Sequence, residues 1–158
     1  MNYGLAIALF GAALATFLPG WGSAKGVGLV GKAASGVVAE DPSKFGQTLL
    51  LQALPATQGI YGLLIAFLVL LKVGMVGGSG AVEVSFLTGL YIFLACLPIA
   101  IVGFFSAFHQ GSVAAAGIGV VAKRPEEVSK AMIYAAMVET YAVLALLVSF
   151  LMLNGISL

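Results

Sequence analysis

The sequence predicts an all-α membrane protein with four transmembrane helices arranged as a duplicated two-helix hairpin. Three observations carry that prediction. Hydrophobic residues make up 61% of the chain and charged residues only 8%, with a mean hydropathy of +1.14. Four apolar stretches run unbroken, and the order of motifs in the first half recurs in the second. A soluble domain needs a polar surface that this composition does not supply. A transmembrane β-barrel would show alternating segments of about ten residues instead.

The four stretches are, roughly, Tyr3 to Ala24, Phe45 to Leu71, Val84 to Phe108 and Ala131 to Leu153. Each is long enough to cross a hydrocarbon core about 30 Å thick. The first, MNYGLAIALFGAALATF, has no positively charged start and no polar mature domain after it, so it reads as a retained helix and not a cleaved signal. Helices 1 and 3 are expected to continue beyond the bilayer, to about Val38 and Ala122. Lys25, Lys32, Lys44, Lys123, Arg124 and Lys130 surround the first and third connections, whereas only Lys72 flanks the second. The positive-inside bias then sets those two connections in the cytoplasm and both termini outside.

The halves align feature by feature. GSAKGVG at Gly22 to Gly28 echoes GSVAAAG at Gly111 to Gly117. EDPSK at Glu40 to Lys44 answers KRPEE at Lys123 to Glu127, and TQGIYGLLIAF after Thr57 answers VETYAVLALLV after Val138. The repeat units are residues 1–74 and 75–158, which form one integral membrane unit. Both hairpins run outside, inside, outside, so the duplication is parallel, unlike the inverted repeats of many transporters. In this alignment Gln58 corresponds to Glu139.

Every fourth residue of helix 1 is mostly small: Gly4, Ala8, Ala12, Thr16, Gly20, Ala24, Gly28, then Lys32 and Gly36. Helix 3 gives Gly103, Ala107, Gly111, Ala115 and Gly119. Lipid provides little hydrophobic drive between helices, so close backbone approach over small residues supplies the packing. These ridges predict tight packing of helices 1 and 3. Helices 2 and 4, richer in Leu, Ile, Val and Phe, suit lipid exposure.

Glu139 is the only acid inside a span; Glu40, Asp41, Glu83, Glu126 and Glu127 all fall in connections or at helix ends. An ionisable group in a membrane helix costs roughly 3 kcal/mol or more, which marks it as an ion or proton site by default. Thr57 and Gln58 fall at mid-span in helix 2, and Gln110 in the lower half of helix 3. Together they offer oxygen ligands and a single negative charge, which suits a small hard monovalent cation such as sodium. Gln58 and Gln110 also fit as interhelical hydrogen-bonding groups. Pro55 cannot donate a backbone hydrogen bond and should free the carbonyl of Leu51, loosening the helix beside this cluster. Tyr61, one turn beyond Gln58, is placed either to bring its hydroxyl to Glu139 or to serve as an interfacial aromatic. Cys96 and His109 are each isolated and form no metal-ligand set.

Three motifs, LPATQGIYG at Leu54 to Gly62, HQGSVAAAG at His109 to Gly117 and AAMVETYA at Ala135 to Ala142, occur in register over nearly the whole chain. In them the sequence resembles the rotor-ring proteolipid, the K or c subunit, of bacterial V-type ATPases, in particular the sodium-translocating ones. The resemblance implies assembly of identical subunits into a ring in the bacterial plasma membrane, with helices 1 and 3 inside and 2 and 4 outside against lipid. It also implies a membrane stator subunit with an arginine and central-stalk subunits as partners. The implied sodium ligands are Glu139, Gln110, Gln58, Thr57 and the backbone carbonyl of Leu54, with Tyr61 bonding to Glu139. The Leu54 ligand rests on the resemblance alone.

The implied chain carries ions by rotation and catalyses nothing itself. No GxxxxGK[ST] phosphate loop is present, so ATP hydrolysis is expected in other subunits. No nucleic-acid partner is expected. The competing readings are a proton-carrying rotor subunit of the same family and a small proton-coupled transporter.

Overall fold

The structure, a computed structural model, describes residues 2–77, 80 and 82–157. Helix α1 (Tyr3–Glu40) and helix α4 (Phe86–Lys123) are each 38 residues long. At about 1.5 Å per residue each reaches about 57 Å, well beyond a bilayer core. Helix α5 (Val128–Asn154) begins three residues before the apolar run suggests. The second crossing, Pro42–Lys72, is broken into α2 (Phe45–Ala53), a 3-10 turn (Leu54–Ala56) and α3 (Thr57–Lys72). Pro55 sits in that turn and accounts for it, since its ring nitrogen has no hydrogen to give Leu51. Four helical stretches among the described residues are thus long and apolar enough to span a membrane.

Local chemistry sets the helix ends. Asn2 caps α1, its Oδ1 accepting from the Leu5 N–H at 2.9 Å, and Ser85 caps α4 by accepting from the Thr88 N–H at 3.1 Å. At the far end of α1, Asp41 Oδ1 accepts from the Ser43 N–H (3.0 Å) and hydroxyl (2.6 Å), and Pro42 starts the return. In the described part of the connection 73–85, Gly74, Gly77 and Gly80 adopt positive φ, which turns the chain between hairpins.

Helices α1 and α4 run parallel, in contact along much of their length. Gly4 abuts Ser85 and Gly89, Gly11 abuts Phe93, Gly22 abuts Phe104, and Gly26 abuts Ala107 and Gly111. A Cβ on Gly22 would lie 2.5 Å from the Phe104 carbonyl oxygen, so only glycine permits this approach. The expected pairing of the first and third spans is present and uses part of the every-fourth ridge, Gly4 on α1 and Gly103, Ala107 and Gly111 on α4, while other ridge members leave the contact. Nothing lies within 4 Å of a Cβ built on Gly20, Gly28, Gly36 or Gly119. The reason is helical geometry: 3.6 residues per turn make a four-residue step overshoot by about 40°, so the ridge winds away from its partner. The buried stripe of α1, Gly4, Ala8, Gly11, Ala15, Pro19, Gly22, Gly26, mixes steps of three and four and stays on one face.

Helices α3 and α5 flank this pair. Gly62 of α3 meets α1 at Ala15 and Pro19, and Gly117 of α4 meets Ala131 of α5. Their outer faces carry Ile60, Leu63, Phe67, Tyr134, Met137 and Leu144, all exposed as lipid-facing residues should be. Helices α1 and α4 also expose large apolar groups, among them Phe17, Trp21, Phe105 and Phe108. The buried residues form two apolar clusters. One contains Ala8, Ala15, Ile65, Val69, Ile92 and Ile99; the other contains Val30, Leu51, Ala114, Ile118, Val121 and Ala131. Gln58 on α3, Ser106 and Gln110 on α4 and Glu139 on α5 fall between these clusters, whereas buried Ser149 of α5 lies within the first and accepts from the Ile99 N–H at 3.1 Å. At the loop end, Lys44 Nζ donates to the Ala122 carbonyl (2.9 Å) and Gln47 Nε2 to the Pro125 carbonyl (3.2 Å), tying one hairpin to the other.

Candidate ion site in the mid-span polar layer

Glu139 lies 11 residues into α5, which at about 1.5 Å per residue is about 16 Å deep and close to mid-membrane. Its carboxylate accepts two hydrogen bonds. Tyr61 donates its hydroxyl to Oε1 at 2.5 Å, and Gln110 donates Nε2 to Oε2 at 3.2 Å. Of the two placements open to Tyr61, its hydroxyl takes the one on the carboxylate. Gln110 Oε1 in turn accepts from Gln58 Nε2 at 2.6 Å, and both glutamines are fully buried. Thr57 Oγ1 lies 3.0 Å from the Leu54 carbonyl and 3.3 Å from Gln58 Oε1.

The break in the second span makes this arrangement possible. A continuous helix would turn the Leu54 carbonyl along its own axis to residue 58. The 3-10 turn instead gives it the Thr57 N–H and exposes it to the Thr57 hydroxyl. Pro55 is buried and faces α1, where a Cβ on Gly26 would come within 2.8 Å of its ring. The first turn of α3 then has backbone N–H groups without intrahelical partners. One of them, on Gly59, donates to Ser23 Oγ of α1 at 2.9 Å.

All the residues named from the sequence therefore fall in one layer: Leu54, Thr57, Gln58 and Tyr61 on the second span, Gln110 on α4 and Glu139 on α5. Gln58 and Glu139, paired in the internal alignment, are linked through Gln110, which accepts from one and donates to the other. Lone polar groups would be costly here, yet among the described residues no buried side-chain nitrogen or oxygen lacks a partner. Carboxylate, amide, hydroxyl and carbonyl oxygens with one negative charge form a donor set for a hard monovalent cation. Among the described residues no cluster of three or more His, Cys, Asp or Glu exists that could hold a transition metal.

Sequence reasoning missed Ser106. It is 6% exposed, accepts from Gln58 Nε2 at 3.3 Å and donates to the Val138 carbonyl at 3.0 Å. One signal in the sequence pointed to it. It lies four residues before Gln110 and so shares its helix face. It also mirrors Ser23 in the first hairpin, buried and accepting from the second span. The motif match of GSAKGVG with GSVAAAG instead pairs Ser23 with Ser112, which is exposed.

Fold and site together define a membrane-embedded proteolipid: two parallel hairpins around one ionisable group held in a polar layer. The chain belongs to the ATP synthase C-subunit family, whose family model matches residues 10–69 and again residues 93–152. The chain is 49% identical over 151 residues to the V-type sodium ATPase subunit K of Enterococcus hirae, covering 96% of this chain and 92% of that protein. It is 41% identical over 152 residues to the A-type ATP synthase subunit K of Methanocaldococcus jannaschii, again over 96% of this chain, and spans 64% of that longer protein.

Proposed function

We propose that this chain is the ion-carrying subunit of the membrane rotor ring of a V-type ATPase, and that it binds and occludes Na+ at Glu139. Gln110, Gln58 and Thr57 supply side-chain oxygens, Leu54 supplies its carbonyl, and Tyr61 steadies the carboxylate. The observation that carries this reading is one hydrogen-bonded network, drawn from three helices, that links Leu54, Thr57, Gln58, Gln110 and Tyr61 to one mid-span carboxylate. The name of the Enterococcus hirae relative supports sodium as the cargo.

Bound sodium neutralises Glu139, so the site can face lipid without the penalty of a bare charge. The apolar clusters above and below the layer keep water from reaching it along the helices. Rotation then brings each subunit to a membrane stator, whose arginine attracts the carboxylate and displaces the ion. Identical copies form the ring, central-stalk subunits turn it, and ATP is hydrolysed in other subunits. The repeat units are residues 1–74 and 75–158, of which Met1, Gly78, Ser79, Ala81 and Leu158 lie outside the described residues. The ring sits in a bacterial plasma membrane with both termini outside. This topology agrees with the fold, which brings the start of α1 to the 73–85 connection through Asn2 Nδ2 and the Val82 carbonyl (3.5 Å).

The test is sodium protection of Glu139 in the purified ring. A hydrophobic carbodiimide reacts with a protonated carboxyl group, so sodium at constant pH should slow labelling of Glu139. Equal labelling with and without sodium would replace this reading with the proton-carrying one. Replacing Glu139 by Gln should abolish both labelling and coupled transport while the ring still assembles.

A further inference from the structure

We infer that Ser106 is a positioning residue that fixes which way the Gln58 amide points, and so keeps its oxygen, not its nitrogen, on the Thr57 side of the site. The inference rests on the sodium-site reading above. The chain of hydrogen bonds has a direction, and its starting point is unambiguous. A backbone carbonyl only accepts, so Ser106 must give its single proton to Val138 O at 3.0 Å. Toward Gln58 it can then only accept. The partner at 3.3 Å must therefore be the NH2 end of the Gln58 amide, whose second hydrogen goes to Gln110 Oε1 at 2.6 Å.

The consequence runs along both glutamines. Gln58 Oε1 is forced to the other side, toward Thr57 at 3.3 Å. Gln110, receiving on its oxygen, has its own NH2 left to donate to Glu139 Oε2 at 3.2 Å. One serine hydroxyl, anchored to the backbone of the residue before Glu139, thus sets the orientation of two side chains, Gln58 on α3 and Gln110 on its own helix α4. Without it, one Gln58 N–H loses its acceptor. The amide is then free to turn its nitrogen toward the cation, where an N–H dipole repels positive charge.

Sodium protection of Glu139 against carbodiimide, measured on intact rings, tests this. Ser106→Ala should raise the sodium concentration for half-protection by about tenfold, the change one buried hydrogen bond makes. Ser106→Thr keeps the hydroxyl and should restore most of the affinity. A purely structural serine makes a different pattern, so ring melting is read alongside. For a positioning role, Ser106→Ala leaves melting in sodium-free buffer close to wild type and shrinks the increment that sodium adds. An unshifted half-protection, a Thr variant as impaired as Ala, or an equal loss of melting temperature with and without sodium would each overturn the assignment. If the wild-type ring shows no sodium protection at all, it is the sodium reading itself that fails.

Discussion

Gln110→Ala is the sharpest probe of the ligand set. Gln110 is fully buried and joins the Gln58 amide to the Glu139 carboxylate. Truncation removes one oxygen ligand from a bound sodium and one donor from Glu139 Oε2. Gln58 Nε2 still has Ser106 and Glu139 Oε1 still has Tyr61, so the damage is confined to one side of the carboxylate. A bound sodium loses that ligand outright, because no water in a closed membrane site replaces the missing oxygen. Hydrogen-bonding groups facing a charge contribute about 1.5–3 kcal/mol. Taking the upper half of that range for a fully buried site, sodium affinity should fall roughly 40- to 150-fold. The assay is the sodium concentration for half-protection of Glu139 at fixed pH, with assembly verified by the mass of the intact ring. A half-protection point within threefold of wild type, in a ring of normal mass, refutes the role given to Gln110.

Three further perturbations separate the parts of the structure. Tyr61→Phe removes the hydroxyl on Glu139 Oε1 but no ion ligand, so sodium affinity should drop only about three- to tenfold, measured in the same way; a loss as large as that of Gln110→Ala contradicts the distinction. Gly22→Ala drives a methyl into the Phe104 backbone and should cost about 3 kcal/mol, read as lost ring recovery and lowered melting temperature, whereas Gly28→Ala leaves the fold of the single subunit unchanged because nothing lies within 4 Å there. Asp41, at the turn after α1, is held below the ordinary carboxylate range first by the Ser43 hydroxyl, then by the Ser43 backbone N–H. A lowered folded value means that the turn is supported above the unfolded carboxylate pKa and loses that support as pH falls through the folded value. Ser43→Ala should move the Asp41 titration midpoint upward by NMR, and an unmoved midpoint rules out the hydroxyl as its cause.

Much of this protein is legible in its residues one at a time. Four long apolar runs need no tertiary information, because the bilayer imposes its own length and demands internally bonded backbone. Glu139 stands out for the same reason: charge is so costly in lipid that a single acid among apolar residues is informative before any neighbour is known. Pro55 marked the distortion of the second span, and the structure converts it into a full break between α2 and α3. The small-residue ridges identified the right helices and named some of the wrong contacts, since a fixed four-residue step cannot follow a 3.6-residue helix over nine turns and more.

The class of structure and the charge at its centre are legible in the chain alone, both consequences of the cost of polarity in lipid. Direction and adjacency arise only when the spans pack. Gln58 reaches Glu139 through Gln110 and not across a repeat axis, Tyr61 turns its hydroxyl inward, and Ser106 enters the layer from α4. Serine is common in helices and carries no cost that would flag it in a sequence. Its importance arises only when a carbonyl from one helix and an amide from another meet at its single oxygen, and that meeting is set by the close packing of four spans.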